Sequence, residues 1–495
     1  MAIEFILLII SILFLLSIIV GKASSRFGVP ALLLFLCVGM AFGSGGFGIE
    51  FNNFPLAQII GTVSLCIILF SGGMDTNIEE IRPVMKQGVL LATLGVFLTA
   101  LITGLLIWFV LGMTFKSAGI GLLSSLLLAS TMSSTDSASV FSILRSKDLH
   151  LKNNLRPMLE LESGSNDPMA YVLVITLIEV IKMDSSPNYW LAIGMLVMQL
   201  CIGAISGFVF GKLALRIINR IKIDNPSLYP ILVFTFCIFI FSCTYFVKGN
   251  GYLAVYIGGL VIGNASFLHK RSSLRFFDGL AWLCQLLLFL TLGLLVNPKE
   301  LLSVAVPGLI ISFLMIFISR PISVFLSLAP FRKMAVRDKV YLSWCGLRGA
   351  VPIVFAILPL VANVPNAQFI FNIVFFCTLI SLLLQGTSLT VIAKWLYLDE
   401  KITPKKILKD FDVDFSDEIK SVTTEITLTS EILERGNHLM DLDLPDKTLV
   451  VMIKRSNKYF VPTGKTLLHE KDKLLVITDD QKALSETYER LGIKK

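Results

Sequence analysis

The sequence predicts an all-α polytopic membrane protein of about 13 transmembrane helices, followed by a small α+β module. Of its 495 residues, 55% are hydrophobic and only 16% are charged, whereas soluble domains average about 25% charged residues. Apolar stretches close to the ~20 residues that cross a bilayer core recur as far as residue 396. These stretches lie near residues 3–20, 29–44, 55–73, 87–112, 118–145, 155–181, 189–212, 228–247, 251–266, 278–297, 302–328, 338–361 and 368–396.

The loops between these stretches carry an alternating charge pattern. One set holds only four basic residues: Lys116, Lys182, Lys248 and Lys299. The other set holds 18: Lys22, Arg26, Arg82, Lys86, Arg145, Lys147, Lys152, Arg156, Arg216, Arg220, Lys222, Lys270, Arg271, Arg275, Arg332, Lys333, Arg337 and Lys339. Because basic loops stay in the cytoplasm, we expect a multi-pass protein of the bacterial inner (plasma) membrane with its N-terminus outside. The net charge of +8 reflects this topology, and no nucleic-acid partner is expected.

The composition changes after the last apolar stretch. We predict a transmembrane domain over residues 1–397, a linker over 398–416 and a cytoplasmic domain over 417–495. Apolar residues alternate as in strands over 421–428, 448–453 and 473–477, and residues 481–491 form an amphipathic helical pattern. Since so short a module makes a small core, we expect it to pair with its counterpart in a dimer.

Two polar segments interrupt the apolar stretches. Residues 161–168 read Leu-Glu-Ser-Gly-Ser-Asn-Asp-Pro, and residues 134–136 read Ser-Thr-Asp. A charge at the bilayer centre costs roughly 2.5–3.5 kcal/mol, so such residues normally face inward and mark an ion or substrate path. Helical spacing places Ser163 and Asp167 on one face and Glu162 and Asn166 on another.

A buried carboxylate needs a partner or must be neutralised. Two intramembrane arginines, Arg320 and Arg348, are candidates to pair with Glu162. A purely structural salt-bridge network is the alternative interpretation. It is less favoured because Asp136 and Asp167 would then remain without evident basic partners.

The segments 134–137 and 346–352 lie at corresponding places in the two halves of the chain, and each should loosen a helix. Paired interruptions predict inverted repeats with crossed, unwound helices at midmembrane, although ordinary helix kinks would leave the same pattern. Thr135 and freed carbonyls could then bind a monovalent cation. Asp136 and Arg348 could neutralise the exposed helix ends.

The chain resembles the NhaP branch of the monovalent cation/proton antiporters, in particular its potassium/proton members. The resemblance covers nearly the whole chain. Its motifs are residues 134–136, 162–170 (Glu-Ser-Gly-Ser-Asn-Asp-Pro-Met-Ala), 278–282 (Asp-Gly-Leu-Ala-Trp), 320–324 (Arg-Pro-Ile-Ser-Val), 346–352 (Gly-Leu-Arg-Gly-Ala-Val-Pro) and 385–389 (Gln-Gly-Thr-Ser-Leu).

This resemblance implies an NhaA-like antiporter fold, a homodimer, and protomers with a dimerisation half and a six-helix transport core. It implies electroneutral exchange, because the pair Asn166-Asp167 is typical of electroneutral members. The implied site for the shared proton and metal cation is Asp167, with Asp136, Thr135, Ser163 and Asn166 around it. A structural ion pair is implied for Glu162, with Arg320 favoured over Arg348. One departure is Ser71, where relatives commonly place a carboxylate, and it leaves the choice between K⁺ and Na⁺ open.

The tail resembles the RCK C-terminal (TrkA-C) module of potassium-transport regulators. The resemblance rests on residues 444–451 (Leu-Pro-Asp-Lys-Thr-Leu-Val-Val), 461–467 (Val-Pro-Thr-Gly-Lys-Thr-Leu) and 472–477 (Asp-Lys-Leu-Leu-Val-Ile). It implies a regulatory small-molecule ligand, a nucleotide or cyclic dinucleotide, within residues 417–495. No other cofactor is expected.

The predicted function is electroneutral antiport of cytoplasmic K⁺ (or Na⁺) against H⁺ by alternating access, regulated by the tail, and the protein is not expected to be an enzyme. A proton or a dehydrated cation can neutralise buried Asp167, but not both at once. The first alternative is a tail-gated potassium channel, although the sequence lacks a Thr-Val-Gly-Tyr-Gly-like carbonyl filter. The second is an intramembrane enzyme using Asp136 and Asp167, for which no processing motif is present.

Overall fold

The computed structural model divides the chain into two compact units, Met1–Lys401 and Ile402–Lys495. The described residues of the first unit are 3–27, 30–49, 51–114, 121–147, 149–183 and 189–400. Those of the second are 422–428, 433, 436–442, 444, 448–455, 458–470 and 472–478.

The first unit is helical. Its first eight helices are α1 (Ile3–Phe27), α2 (Ala31–Phe42), α3 (Phe54–Asp75), α4 (Ile78–Ile81), α5 (Met85–Leu90), α6 (Val96–Thr114), α7 (Leu122–Thr131) and α8 (Ser137–Ser146). After strand β1 (His150–Leu151) come α9 (Leu155–Lys182), α10 (Tyr189–Arg220), α11 (Leu228–Phe246), α12 (Gly251–Gly263), α13 (Lys270–Leu295), α14 (Pro298–Ser303), α15 (Ala305–Leu314), α16 (Arg320–Ser327), α17 (Val336–Trp344), α18 (Ala350–Val361) and α19 (Ala367–Trp395), and then strand β2 (Asp399–Glu400).

Nine helices among the described residues are long and apolar enough to cross a membrane. Four shorter apolar helices, α2, α7, α12 and α18, lie in other predicted spans. The predicted class, a polytopic helical membrane protein with a small strand-containing tail, is therefore confirmed. The count of 13 spans stays a prediction.

Two of the predicted spans are interrupted helices. The first consists of α7 and α8 around the non-helical residues 132–136, and the second of α17 and α18 around residues 345–349. The second interruption is shorter than the sequence suggested, because Pro352 lies inside the first turn of α18. A proline is tolerated there, since the N–H groups of a first helical turn have no intrahelical acceptor.

The two interrupted helices occupy equivalent places in a repeated succession. Before each one, a long helix contains a π-helical turn: Leu91–Gly95 joins α5 to α6, and Met315–Ser319 joins α15 to α16. After each one comes an uninterrupted helix, α9 or α19. The hydroxyl of Ser323 on α16 donates to the carbonyl of Gly95, at 2.6 Å, so the two π-containing helices are also bonded to each other.

The remaining long helices form a second set around α3, which packs against α12 and α13 of this set and also against α18. The rings of Phe70 on α3 and Phe277 on α13 lie 5.1 Å apart. Helix α9 contacts both sets, because it packs on α7 and α12. The site described below therefore lies where the two sets of helices meet.

A two-stranded ribbon joins the segment before α9 to the segment after α19. β1 and β2 are antiparallel, with His150 opposite Glu400. The backbone N–H of Lys152 also donates to the carbonyl of Leu398 at 3.0 Å. The start of α9 and the end of α19 therefore lie on the same side of the unit.

The second unit contains a four-stranded antiparallel sheet in the order β3-β6-β4-β5. Its strands are β3 (Val422–Thr427), β4 (Thr448–Arg455), β5 (Lys458–Phe460) and β6 (Lys473–Thr478). Three of these match the predicted strands, whereas the short β5 was missed. The predicted helix at 481–491 and most of the predicted linker lie outside the described residues.

One ion pair of the sheet joins Asp472, which is buried, to Arg455, whose side chain is 34% exposed. The Arg455 guanidinium donates to the Asp472 carboxylate through Nε at 3.0 Å and Nη2 at 2.7 Å. This hydrogen bond raises the pKa of Arg455, so the side chain remains a cation. Asp472 also accepts from the backbone N–H of His469 at 2.9 Å and thereby fixes the turn before β6.

Replacing Asp472 with asparagine should destabilise the second unit by about 1–2 kcal/mol, because three charge-assisted hydrogen bonds lose their charge. Limited proteolysis of the full-length protein should then cut the tail faster. Glu470→Gln is the matched control, since Glu470 is exposed two residues away. Equal cutting rates for the Asp472→Asn variant and the wild type would contradict this role for the ion pair.

Candidate ion-binding site

Asp167 lies in the middle of α9, next to a proline that removes one backbone hydrogen bond of the helix. Pro168 has no backbone N–H, so the carbonyl of Gly164 has no donor in the helix ladder. Asn250, at the start of α12, donates to the carbonyl of Pro168 at 2.7 Å. A Cβ atom at Gly164 would overlap the ring of Tyr256, so glycine allows α9 and α12 to approach closely here.

α9 holds the first interruption through Thr135. The amide of Asn166 donates to the Thr135 hydroxyl at 2.6 Å and, more weakly, to its carbonyl at 3.3 Å. The hydroxyl of Ser163 donates to the same carbonyl at 2.9 Å. Thr135 is therefore hydrogen-bonded to one residue on each polar face of α9, namely Ser163 and Asn166. Ser163 lies one helical turn before Asp167.

The two interruptions meet each other. The backbone N–H of Asp136 donates to the carbonyl of Leu347 at 2.8 Å. The guanidinium of Arg348 donates to the carbonyl of Ser134. A Cβ atom at Gly349 would overlap the Asp136 carboxylate, so only glycine permits this crossing. Non-helical backbone of one interruption therefore satisfies polar groups of the other.

An acidic side chain lies at the N-termini of two half-helices, and a basic side chain lies near the C-terminus of another. The Asp136 carboxylate accepts from the backbone N–H of Ser139 at 3.1 Å, which caps the N-terminus of α8. It also lies against Gly349, the N-cap residue of α18. Arg348 bonds to the carbonyl of Ser134, just beyond the C-terminus of α7. This arrangement complements the partial positive and negative charges at helix N- and C-termini.

Glu162 faces away from Asp167 and forms an ion pair with Arg320. Both side chains are about 1% exposed. Arg320 directly follows the second π-helical turn, so the pair joins α9 to α16. Arg348 contacts the Ser134 carbonyl instead, and its Nε and Nη2 atoms donate to no acceptor within the described part of the chain.

A cavity of about 730 Å³ reaches Asp167 from one side of the unit. Asp136, Ser163, Gly164 and Ser71 line it, whereas Glu162, Arg320 and Arg348 do not. Its wall holds five carboxylates against two guanidinium groups, a balance that attracts cations. The charged lining residues are Asp75, Asp136, Glu160, Asp167, Asp278, Arg156 and Arg275.

Asp167 is 5% exposed, and its Oδ1 atom accepts no hydrogen bond from the described residues. Carboxylate, hydroxyl and carbonyl oxygens suit a hard cation or a proton. The described residues contain no group of three His, Cys, Asp or Glu side chains that could hold a metal ion.

Of the sequence-predicted residues, Asp167, Asp136 and Ser163 share the cavity, while Asn166 hydrogen-bonds Thr135 beside it. The sequence interpretation gave no role to Asn250 or Tyr256. Asn250 could have been found, because an Asn-Gly pair before an apolar run is a helix N-cap signal. The contact of Tyr256 with Gly164 depends on tertiary packing and left no signal in the sequence.

Residues 10–395 match the family model for the transmembrane sodium/hydrogen exchanger, and residues 425–492 match the TrkA-C domain. The chain is 38% identical over 481 residues to the K(+)/H(+) antiporter NhaP of Alkalimonas amylolytica, covering 96% of this chain and 81% of the relative. It is 35% identical over 477 residues to the K(+)/H(+) antiporter NhaP2 of Shewanella sp. strain ANA-3, covering 95% and 81%.

The fold is similar to a solved structure of the sodium proton antiporter MjNhaP1 from Methanocaldococcus jannaschii. The TM-score is 0.67 at 24% sequence identity, and the match covers 80% of this chain and 99% of the solved one. At this identity the similarity concerns the fold alone.

Replacing Arg320 with methionine should lower the stability of the protein by about 3–5 kcal/mol, because Glu162 would be left as a buried, unpaired charge. Thermal unfolding in detergent should show a lower melting temperature than for Arg332→Met, which removes an exposed arginine.

The double variant Glu162→Met/Arg320→Met should recover much of the loss, since it removes both charges together. A double variant that is as unstable as the sum of its single variants would show that Glu162 and Arg320 do not act as a pair.

Proposed function

The chain belongs to the family of transmembrane sodium/hydrogen exchangers, and we propose that it exchanges cytoplasmic K⁺ for H⁺ at Asp167. It is a cation/proton exchanger with a TrkA-C tail, and its relatives are transporters rather than enzymes. The K⁺ preference, with Na⁺ as the second candidate, is supported by the printed names of relatives that match nearly the whole chain. The channel hypothesis is not favoured by these relatives.

The observation that carries the proposal is the position of Asp167. Its carboxylate is buried in the middle of a membrane-spanning helix, and it lines a cavity in which acidic residues outnumber basic ones. Because an isolated buried charge is costly, the transport core can cross the membrane barrier only when a proton or a cation neutralises Asp167. Each passage therefore carries one of the two ions.

The same constraint makes the exchange electroneutral. Asn166 presents a neutral amide beside Asp167 and uses it to bond Thr135. In this mechanism Asp136 stays ionised, because it caps α8 and lies against the start of α18. One exchangeable charge then remains, and one cation replaces one proton. Thr135, Ser163 and Asp136 are the proposed oxygen ligands beside Asp167.

Alternating access is supported by the repeated succession of helices. The helices from α4 to α9 and from α14 to α19 both contain a π-helical turn, an interrupted helix and an uninterrupted helix. We assign them to a six-helix core of two inverted repeats, which moves against the set formed by α1–α3 and α10–α13. Counting each interrupted helix as one span gives the 13 spans of an NhaA-like fold. A homodimer formed through the second set follows from the family resemblance.

The ribbon of β1 and β2 supports the proposed orientation. It places the basic loop before α9 on the same side as the end of α19. The basic loops put this side in the cytoplasm, so the N-terminus would lie outside. The cavity is lined by Arg156 and Arg275, which lie near the starts of α9 and α13, next to two of these basic loops. In this proposal the cavity therefore opens toward the cytoplasm.

The tail is proposed to regulate transport. Residues 417–495, which include the TrkA-C match, form the proposed regulatory domain, and residues 398–416 form the linker to the transmembrane domain. A nucleotide or cyclic dinucleotide is the proposed class of ligand, by resemblance to such modules. The proposed role of the tail is independent of which residues bind the transported ion.

The variant Asp167→Asn should abolish exchange, because an amide stays neutral without binding either ion. The protein is reconstituted in proteoliposomes with an imposed proton gradient, and K⁺ or Na⁺ is added while the internal pH is followed. The wild type should respond, with an initial rate that an imposed membrane potential leaves unchanged. The variant should match empty liposomes.

Glu179→Gln is the matched control, because it removes an exposed carboxylate from the same helix outside the cavity. This control should transport at the wild-type rate. A fully active Asp167→Asn variant would disprove the assignment of the ion site, and unitary currents would instead favour a channel.

A further inference from the structure

Among the buried polar side chains of helix α19, Ser381 and Gln385 contact the backbone of another helical segment and have no role in the proposed exchange mechanism. They are 0% and 1% exposed. Neighbouring hydroxyls on α19 bond to the backbone of their own helix: Thr387 donates to the carbonyl of Leu383, and Ser388 to that of Leu384, both at 2.6 Å. Ser381 and Gln385 point instead to the interruption between α17 and α18.

The two side chains bond the backbone on both sides of this interruption. The N–H of Arg348 donates to the Ser381 hydroxyl at 2.9 Å. That hydroxyl donates to Gln385 Oε1 at 2.6 Å. The Gln385 amide nitrogen donates to the carbonyl of Trp344 at 2.9 Å. We call this chain of three hydrogen bonds the α19 clamp.

In the clamp, each of the two side chains both accepts and donates a hydrogen bond. A hydroxyl can accept and donate at once, and a primary amide supplies one acceptor and donors. Trp344 is the last residue of α17, and Arg348 precedes the N-cap residue of α18. The interruption leaves one carbonyl and one N–H group at these positions, and the clamp provides a hydrogen-bond partner for each.

The clamped segment is also the one that bonds the first interruption. Between Trp344 and Arg348, the carbonyl of Leu347 accepts from the N–H of Asp136. The side chain of Arg348 donates to the carbonyl of Ser134. A shift of the clamped segment would therefore move residues 134–136, which supply two of the proposed ligands.

We propose that Ser381 and Gln385 are positioning residues for the ion site, acting through residues 344–348 on Thr135 and Asp136. This inference rests on the proposed function. Neither side chain lines the cavity, so neither contacts the transported ion. Their loss should weaken cation binding by displacing its oxygen ligands.

The sharpest test compares Ser381→Val with Ser381→Thr, because valine and threonine have the same shape and differ only in the hydroxyl. Initial K⁺-dependent rates are measured in proteoliposomes at a fixed proton gradient. The apparent KM of Ser381→Val should exceed that of Ser381→Thr by about tenfold, as expected for the loss of a buried hydrogen bond. A folding defect alone would lower the amount of active protein and leave KM unchanged.

Gln385→Met provides a second route, since it keeps the length of the side chain without the amide. It should raise KM by about as much, and Ser381→Val/Gln385→Met should raise it no further than either single variant, because the two residues act as one unit. Thr387→Val is the control on α19 and should keep the wild-type KM.

Equal KM values for Ser381→Val and Ser381→Thr, together with a wild-type KM for Gln385→Met, would overturn the inference. The outcome for Asp167→Asn in the same assay separates the two proposals. If Asp167→Asn is inactive while the clamp variants behave as wild type, only the clamp is wrong. If Asp167→Asn is fully active, the ion site itself is wrong.

Discussion

The structure depends on one electrostatic constraint: a carboxylate in the interior of a membrane protein must be neutralised before it can cross an apolar barrier. The acids of the core differ in what compensates their charge. Glu162 is paired with Arg320 on another face of α9. Asp136 serves the ends of two half-helices. Of these three acids, Asp167 is the one that we propose an exchangeable ion neutralises, and in this proposal its burial couples the movement of the two ions.

The crossed interruptions create a second constraint, because non-helical backbone at membrane depth must find polar partners within the protein. Here each interruption supplies partners to the other, as the bond from Asp136 to Leu347 illustrates. The uninterrupted helices supply the rest: Asn166 on α9 bonds Thr135, and Gln385 on α19 bonds the carbonyl of Trp344. The segments that carry the oxygen atoms proposed to bind the cation are therefore hydrogen-bonded from both halves of the core, although their backbone is irregular.

The membrane class, the strand pattern of the tail and the cluster around Asp167 could be predicted from sequence, since hydropathy, period-two alternation and polar residues in apolar runs are local signals. The residues alone left two arginines as candidates for the partner of Glu162, because that choice depends on the packing of α16 against α9, and only the family resemblance favoured Arg320. The short β5, the π-helical turns and the α19 clamp were missed for the same reason. The predicted interruption at 346–352 extends past the start of α18 at Ala350, because the sequence alone does not tell a proline that breaks a helix from one in a first turn.

The central claim is that a proton and an alkali cation compete for one carboxylate, and proton release on cation binding tests it most directly. Purified protein in weakly buffered detergent solution is titrated with K⁺ or Na⁺ while the released protons are counted at several pH values. The account predicts release approaching one proton per bound cation when Asp167 starts protonated, an apparent cation affinity that weakens as the pH falls, and no release from Asp167→Asn. Saturable cation binding to the wild type without proton release at any pH would contradict it.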